Sequence, residues 1–213
     1  SDDLVKVIQI LARNRDVLDR MNQNAVVKAS QFFLKTWYKS RKNSIDGSRK
    51  NIAEHYDLSN DFFKLFLDSS MMYSSAVFKQ PSMSLEQASD YKKELICQKL
   101  QLKPMDHLVE IGSGWGGFAI YAAQNYGCRV TTITISKAQH EEAVARVTAA
   151  GLAHRVDVQL KDYRLLEGKY DKLVSIEMIE AVGEQYLPTY FNKCRQLLKP
   201  NGLALIQAIT IED

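Results

Sequence analysis

Cysteine is scarce in this chain: three residues in 213, at positions 97, 128 and 194, with no C-x-x-C pair among them. That spacing argues against a cysteine-built metal site and fits buried, reduced thiols in a cytoplasmic compartment. Long apolar runs are missing too. No stretch of about eighteen apolar residues occurs, which excludes a membrane-spanning helix, and the first residues do not read as a signal peptide. Neither sign of charge dominates: a net charge of +3 is too small for a dedicated nucleic-acid binder. Internal repeats and low-complexity tracts are lacking as well.

What charge there is lies unevenly. Between Lys28 and Lys50 stand seven basic residues and one acid, Asp46, interleaved with Phe32, Phe33, Leu34, Trp37 and Tyr38. Two readings stay open. Such a helix either packs on a core with its charged face in water, or lies in a membrane interface with rings at headgroup level and lysines near anionic phosphates.

The first fifty residues carry helical spacing, with Leu4, Val7, Ile8, Leu11 and Leu18 recurring on one face, and a second candidate at Val26–Lys39. The polar stretch Ser40–Asn51 reads as a linker or loop. Ser59 or Asn60 can cap a short helix carrying Phe62, Phe63, Leu65, Phe66 and Leu67. Ser84-Leu85-Glu86-Gln87 has capping-box form, and Leu85, Ala88, Tyr91, Leu95 and Leu100 continue an apolar face as far as Lys103-Pro104. Beyond it, apolar runs at His107–Gly112, Arg129–Ile135, Arg155–Lys161, Tyr170–Met178 and Gly202–Ile209 alternate with helical or turn-like segments. One helix starts at Ser136, and another near Leu187–Leu198 is ended by Lys199-Pro200-Asn201-Gly202. Apolar strands alternating with helices make a parallel α/β sheet covered on both faces, with ligands at the strands' carboxyl ends. The expected division is a helical region at 1–50, a helical segment at 51–104 covering the site, and an α/β core at 105–213.

The stretch V-E-I-G-S-G-W-G-G, Val109 to Gly117, spells G-x-G-x-x-G between a strand and a helix. Such a turn brings backbone and a helix N-terminus close to a ligand. Taken alone it fits a dinucleotide site, or a packing turn with no ligand. Its surroundings favour S-adenosylmethionine. Glu110, two residues before Gly112, can accept a hydrogen bond from an ammonium group, which dinucleotides lack. The second strand ends in Thr134, Ser136 and Gln139, without the acid that a dinucleotide ribose calls for. After the third strand, Asp162 can meet an adenine amino group and Tyr163 can lie against its ring.

Six segments in order, E-H-Y-D-L-S-N-D-F-F-K-L-F-L-D-S-S-M-M-Y-S-S-A-V-F, E-I-G-S-G-W-G-G-F-A-I-Y-A-A, T-I-T-I-S-K-A-Q, K-D-Y-R, S-I-E-M-I-E-A-V-G-E-Q-Y and L-K-P-N-G-L-A-L-I-Q-A-I-T, resemble the cyclopropane-fatty-acyl-phospholipid synthases and their mycolic-acid-modifying relatives. The resemblance covers Ile52 to Ile209. It implies a class I methyltransferase fold, S-adenosylmethionine as cofactor, and methyl transfer to the cis double bond of a phospholipid acyl chain at a peripheral membrane surface. Cofactor contacts then fall on Tyr56, Tyr73, Ser74, Gly112, Gly114, Thr134, Gln139, Asp162 and Tyr163, with Glu110 and Ser136 beside them. Catalytic positions fall on Glu180, Ser75, Gln207 and Ile209. The family also binds a bicarbonate that takes a proton from the new methyl group, and Glu180 corresponds to that ion's carboxylate neighbour.

Departures bear on the product. Ser75 stands where the family often has cysteine, Ala181 where many members have histidine, and Gln207 where bacterial members often have histidine. Gln207 can donate a hydrogen bond to an anion but cannot titrate near neutral pH. Ring closure and a methyl-branched or methylated unsaturated chain are therefore both open. A small-molecule N- or O-methyltransferase and a non-catalytic lipid-binding module are the rivals outside this chemistry. The family continues past the fifth strand, so the expectation is a core incomplete there, with an unpaired edge that favours self-association.

Overall fold

The computed structural model describes residues 59–210, together with Lys6, Gln9, Ile10, Arg13 and Asn14. The N-terminal helical readings, the basic aromatic stretch and Tyr56 lie outside the described residues. The chain divides into two units, Ser1–Gly47 and Ser48–Asp213, and the second holds the fold that follows.

Helix α1, Asn60–Lys64, is capped by Ser59, whose hydroxyl accepts the Phe62 N–H. Helix α2, Leu85–Leu100, opens with the full capping box: Ser84 Oγ accepts the Gln87 N–H, and Gln87 Oε1 accepts the Ser84 N–H. Its buried face differs from the expected one. Leu85 is exposed, while Ala88, Ser89, Lys92, Lys93, Ile96, Cys97 and Leu100 are buried. The two lysines explain the rotation, since long alkyl stems can be buried wherever the ammonium finds a partner. Lys92 Nζ donates to Ser74, and Lys93 pairs with Asp90 at 2.7 Å.

The rest alternates as expected: β1 His107–Ile111, α3 Gly117–Tyr126, β2 Arg129–Thr134, α4 Lys137–Ala149, β3 Val156–Leu160, β4 Tyr170–Ile176, α5 Leu187–Leu197 and β5 Leu198–Gln207. Short 3-10 turns at Tyr163–Leu165, Ile179–Ala181 and Glu184–Tyr186 fill the connections after β3 and β4. The five strands are parallel, in the order β3-β2-β1-β4-β5. Period-two alternation splits the central strand between two cores. Leu108 joins Ile96, Phe118, Ala122, Val130 and Val147 under α2, α3 and α4, whereas Val109 and Ile111 join Leu173, Tyr190, Cys194 and Leu197 under α5. All three cysteines are free and buried.

One boundary differs from the sequence reading. The residues Lys199 to Gly202 do not separate α5 from the last strand. β5 begins at Leu198 and carries them as an irregularity, its register with β4 jumping from Tyr170↔Leu198 to Lys172↔Leu203. Asn201 takes a φ of +63° there, so the turn-forming residues bend the strand rather than precede it. Because every strand runs the same way, the segments after β1, β2, β3, β4 and β5 all emerge at one edge. That edge collects nearly every candidate site residue.

Candidate active site

The glycine turn is held to the sheet by its own backbone. The N–H groups of Gly112 and Ser113 both donate to the Ile133 carbonyl, at 3.1 and 2.8 Å. Gly114 has a φ of +48°, and among the described residues a Cβ built on it meets no atom within 4 Å. Those residues therefore leave the backbone of the turn uncovered, as close approach of a ligand requires. Three residues on, the reverse holds. A Cβ on Gly117 would lie 2.3 Å from the Ser70 carbonyl oxygen, so the start of α3 packs directly beneath the segment that carries Tyr73 to Ser75. Trp115, only 1 % exposed, locks the two together: its Nε1 donates to Asn60 Oδ1 at 2.8 Å, and its ring meets those of Phe63 and Tyr73 with centroids 4.8 and 6.3 Å away. Arg146 of α4 adds bonds to the carbonyls of Ser69, Ser70 and Trp115 at 2.9, 3.0 and 3.4 Å. Sequence reasoning missed Arg146, which lies mid-helix with no motif around it.

Thr134, the last residue of β2, forms one buried cluster with Ser136 and Gln139. Thr134 Oγ1 donates to Gln139 Oε1 at 2.9 Å and accepts the Ser136 N–H at 3.1 Å, while Ser136 Oγ caps α4 through the Gln139 N–H. With its carbonyl engaged, Gln139 has amide N–H groups to offer, the donors a ribose hydroxyl can accept. Asp162, also buried, is committed first to Arg164, accepting the backbone N–H at 2.9 Å, Nε at 2.8 Å and Nη2 at 2.6 Å. That hydrogen bonding holds Arg164 further above its ordinary pKa. Tyr163 stands half-buried between Arg164 and the ring of Tyr190.

Glu110 is fully buried and accepts the Thr132 hydroxyl at 2.6 Å. Desolvation pushes its carboxyl up to about 8, a rise the Thr132 bond only partly offsets. Tyr73 is 47 % exposed, and Ser74 is held by Lys92. Burial lowers the Lys92 ammonium to about 8, with Glu177 acting in the opposite sense.

The four expected catalytic positions come together as two pairs. Ser75 and Gln207 meet, with Gln207 Nε2 3.4 Å from Ser75 Oγ. Glu180 pairs with Ile209, whose backbone N–H donates to Glu180 Oε1 at 2.6 Å. These two residues line a cleft of about 350 Å³ with Ile179, Gly183, Glu184 and Leu187. Between Ser75 and Gln207 the structure inserts a residue that the sequence reading left unassigned. Glu177 Oε1 accepts from Ser75 N–H at 3.1 Å, Ser75 Oγ at 2.9 Å and Gln207 Nε2 at 2.8 Å. The available signal was a second acid three residues before Glu180, at a strand's carboxyl end.

A family profile described as mycolic acid cyclopropane synthetase matches residues 43–213. Among curated relatives, a tuberculostearic acid methyltransferase of Mycobacterium tuberculosis is 39% identical over 99% of this chain and 50% of its own length. A cyclopropane-fatty-acyl-phospholipid synthase of Escherichia coli is 44% identical over 73% of this chain and 40% of its own. The chain thus spans about half the length of these relatives. The crystal structure of the mycolic acid cyclopropane synthase CmaA1, complexed with SAH and CTAB, superposes with a TM-score of 0.71 at 33% identity, over 74% of this chain and 55% of that one. The parallel sheet with its open glycine turn is the class I S-adenosylmethionine-dependent methyltransferase fold. With most of its length matched by the profile, the chain belongs to the mycolic acid cyclopropane synthetase family.

Proposed function

We propose that the full-length protein uses S-adenosylmethionine to methylate the cis double bond of an unsaturated phospholipid acyl chain, forming a cyclopropane fatty acyl group. The observation that carries this reading is the gathering of Ser75, Glu177, Glu180, Gln207 and the Ile209 N–H at the same strand edge as the open glycine turn. S-adenosylmethionine supplies an electrophilic methyl group to such an edge. Gly112 and Gly114 would border it by backbone, Thr134, Ser136 and Gln139 would serve its ribose, Asp162 and Tyr163 its adenine, and Tyr73, Ser74 and Glu110 its amino-acid end. An alkene is a weak nucleophile, so the chain must align it in a dry pocket. Tyr73, packed against the buried rings of Phe63 and Trp115, supplies an aromatic face, and the carboxylates of Glu177 and Glu180 favour a cationic acyl carbon. In this reading the segment 51–104 covers the site, and the basic aromatic stretch brings it to the lipid surface.

A second reading keeps the cofactor and changes the product. The relative matched along nearly the whole chain is named for a methylated fatty acid, tuberculostearic acid, rather than for a ring. Methyl transfer followed by loss of a different proton gives a methylated alkene from the same residues.

Mass analysis of membrane lipids after expression of the full-length protein tests both. A cyclopropane and a saturated methyl branch differ by two hydrogens, and a methylated alkene is separated from its ring isomer by mild hydrogenation. The cyclopropane product supports the first reading, and the branched or unsaturated product replaces it by the second. Unmodified lipids overturn both, and an accompanying failure to bind S-adenosylhomocysteine leaves a non-catalytic lipid-binding module.

A further inference from the structure

The resemblance sets a bicarbonate beside Ser75, and Gln207 is a second donor to such an anion, but the structure fills that place with the chain's own carboxylate. Glu177 follows β4 directly with a φ of +49°. That left-handed backbone costs a non-glycine residue about 1 kcal/mol and persists where the surroundings over-determine it. Here it turns the side chain onto both donors. Oε1 receives all three of the bonds from Ser75 and Gln207, and the Glu177 N–H itself donates to the Gln207 carbonyl at 2.9 Å. Oε2 takes no hydrogen bond among the described residues. A bicarbonate on the same donors would have to displace Oε1, because Ser75 N–H, Ser75 Oγ and Gln207 Nε2 already donate to it. The residues present do not fit the exogenous ion.

We propose that Glu177 is the built-in proton acceptor of this protein, replacing bicarbonate, with Oε1 anchored by Ser75 and Gln207 and Oε2 available to the substrate. The proposal rests on the acyl methylation reading above. In that reaction the alkene π pair forms the new C–C bond, the S–CH3 pair stays on sulfur, and the neighbouring acyl carbon becomes cationic. Oε2 then takes a proton from the new methyl group, and the released C–H pair closes the ring. If the proton leaves another adjacent carbon, the pair forms an alkene. The resulting carboxylic acid returns its proton to water. A proton beside a cationic carbon is strongly acidic, so a carboxylate placed against it is base enough to take it. Gln207 suits this role as histidine would not: its amide orients Oε1 without competing for the proton. The Lys92 ammonium, bonded to neighbouring Ser74, balances the negative charge.

The test compares turnover of the full-length protein in carbonate-free buffer with and without added bicarbonate, and follows binding of ¹³C-bicarbonate by NMR. Wild type is expected to turn over equally in both and to bind no bicarbonate saturably. Glu177→Gly tolerates the φ of +49° without strain and opens the place. It should lose at least about 100-fold in rate, recover with bicarbonate, and bind it saturably. Glu177→Gln keeps the shape and should lose activity without rescue. Bicarbonate-dependent turnover in wild type, saturable bicarbonate binding by wild type, or full activity of Glu177→Gln would overturn the proposal. Should wild type modify no lipid at all, the functional reading falls on its own. The ¹³C comparison of wild type with Glu177→Gly still decides whether the carboxylate fills the anion's place.

Discussion

A carboxyl group buried inside a sheet must find a cation or stay protonated. Glu110 has only the Thr132 hydroxyl and does the second, its pKa raised from 4.5 to about 8 by burial. Between those values the folded chain keeps a proton that the unfolded chain has lost, so stability falls as pH rises, by up to about 1.4 kcal/mol per pH unit. The contribution is complete below 4.5 and gone once pH passes about 8. Glu110→Gln should flatten that slope in denaturation curves recorded across the interval, and an unchanged slope would show that Glu110 is ionised throughout. The acid itself was legible two residues before Gly112. Its partner was not, because Thr132 faces it only through the β1–β2 register. The same holds at Asp162, where Arg164 two residues on in K-D-Y-R was plain to see and the bonds between them were not.

At the scale of elements, local signals read well wherever the physics is local. The Ser84 capping box, the Ser136 cap and the short Ser59-capped helix all form from residues within four positions of one another. The buried face of α2 did not read correctly, because Lys92 and Lys93 are buried by partners that periodicity cannot reveal. Arg146 is the larger omission. It ties α4 to the segment ahead of the glycine turn, and Asp68 braces that segment from within by accepting the N–H groups of Ser70 and Met72, each at 3.1 Å. Arg146→Ala should cost about 2 kcal/mol, the worth of hydrogen bonds from a charged donor. Hydrogen exchange should then quicken across residues 68–75 while the amides of β1 and β4 keep their protection. Equal exchange in that segment would remove Arg146 as its anchor.

For the molecule as a whole, no helix among the described residues is long and apolar enough to cross a membrane. On the proposed function, the basic aromatic stretch between Lys28 and Lys50 is the part of the sequence expected to meet a lipid surface. Replacing Phe32, Phe33 and Trp37 by Ala should weaken binding to anionic liposomes at least about tenfold, given the area such rings bury. Sedimentation with vesicles checks this, and unchanged binding would return the stretch to ordinary packing. Sequence by itself determined the strand and helix alternation, the glycine turn and the residues gathered after each strand, because these follow from spacing and backbone freedom. The parallel sheet then brings those segments to one edge as a consequence. Only tertiary structure decided which acid meets which donor. Glu177 reaches Ser75 across 102 residues and Gln207 across 30, through the pairing of β4 with β5 and one left-handed backbone turn. Glu180, three residues later, meets the Ile209 N–H instead. Register and a single dihedral angle separate those two outcomes, and neither is a property of residue spacing.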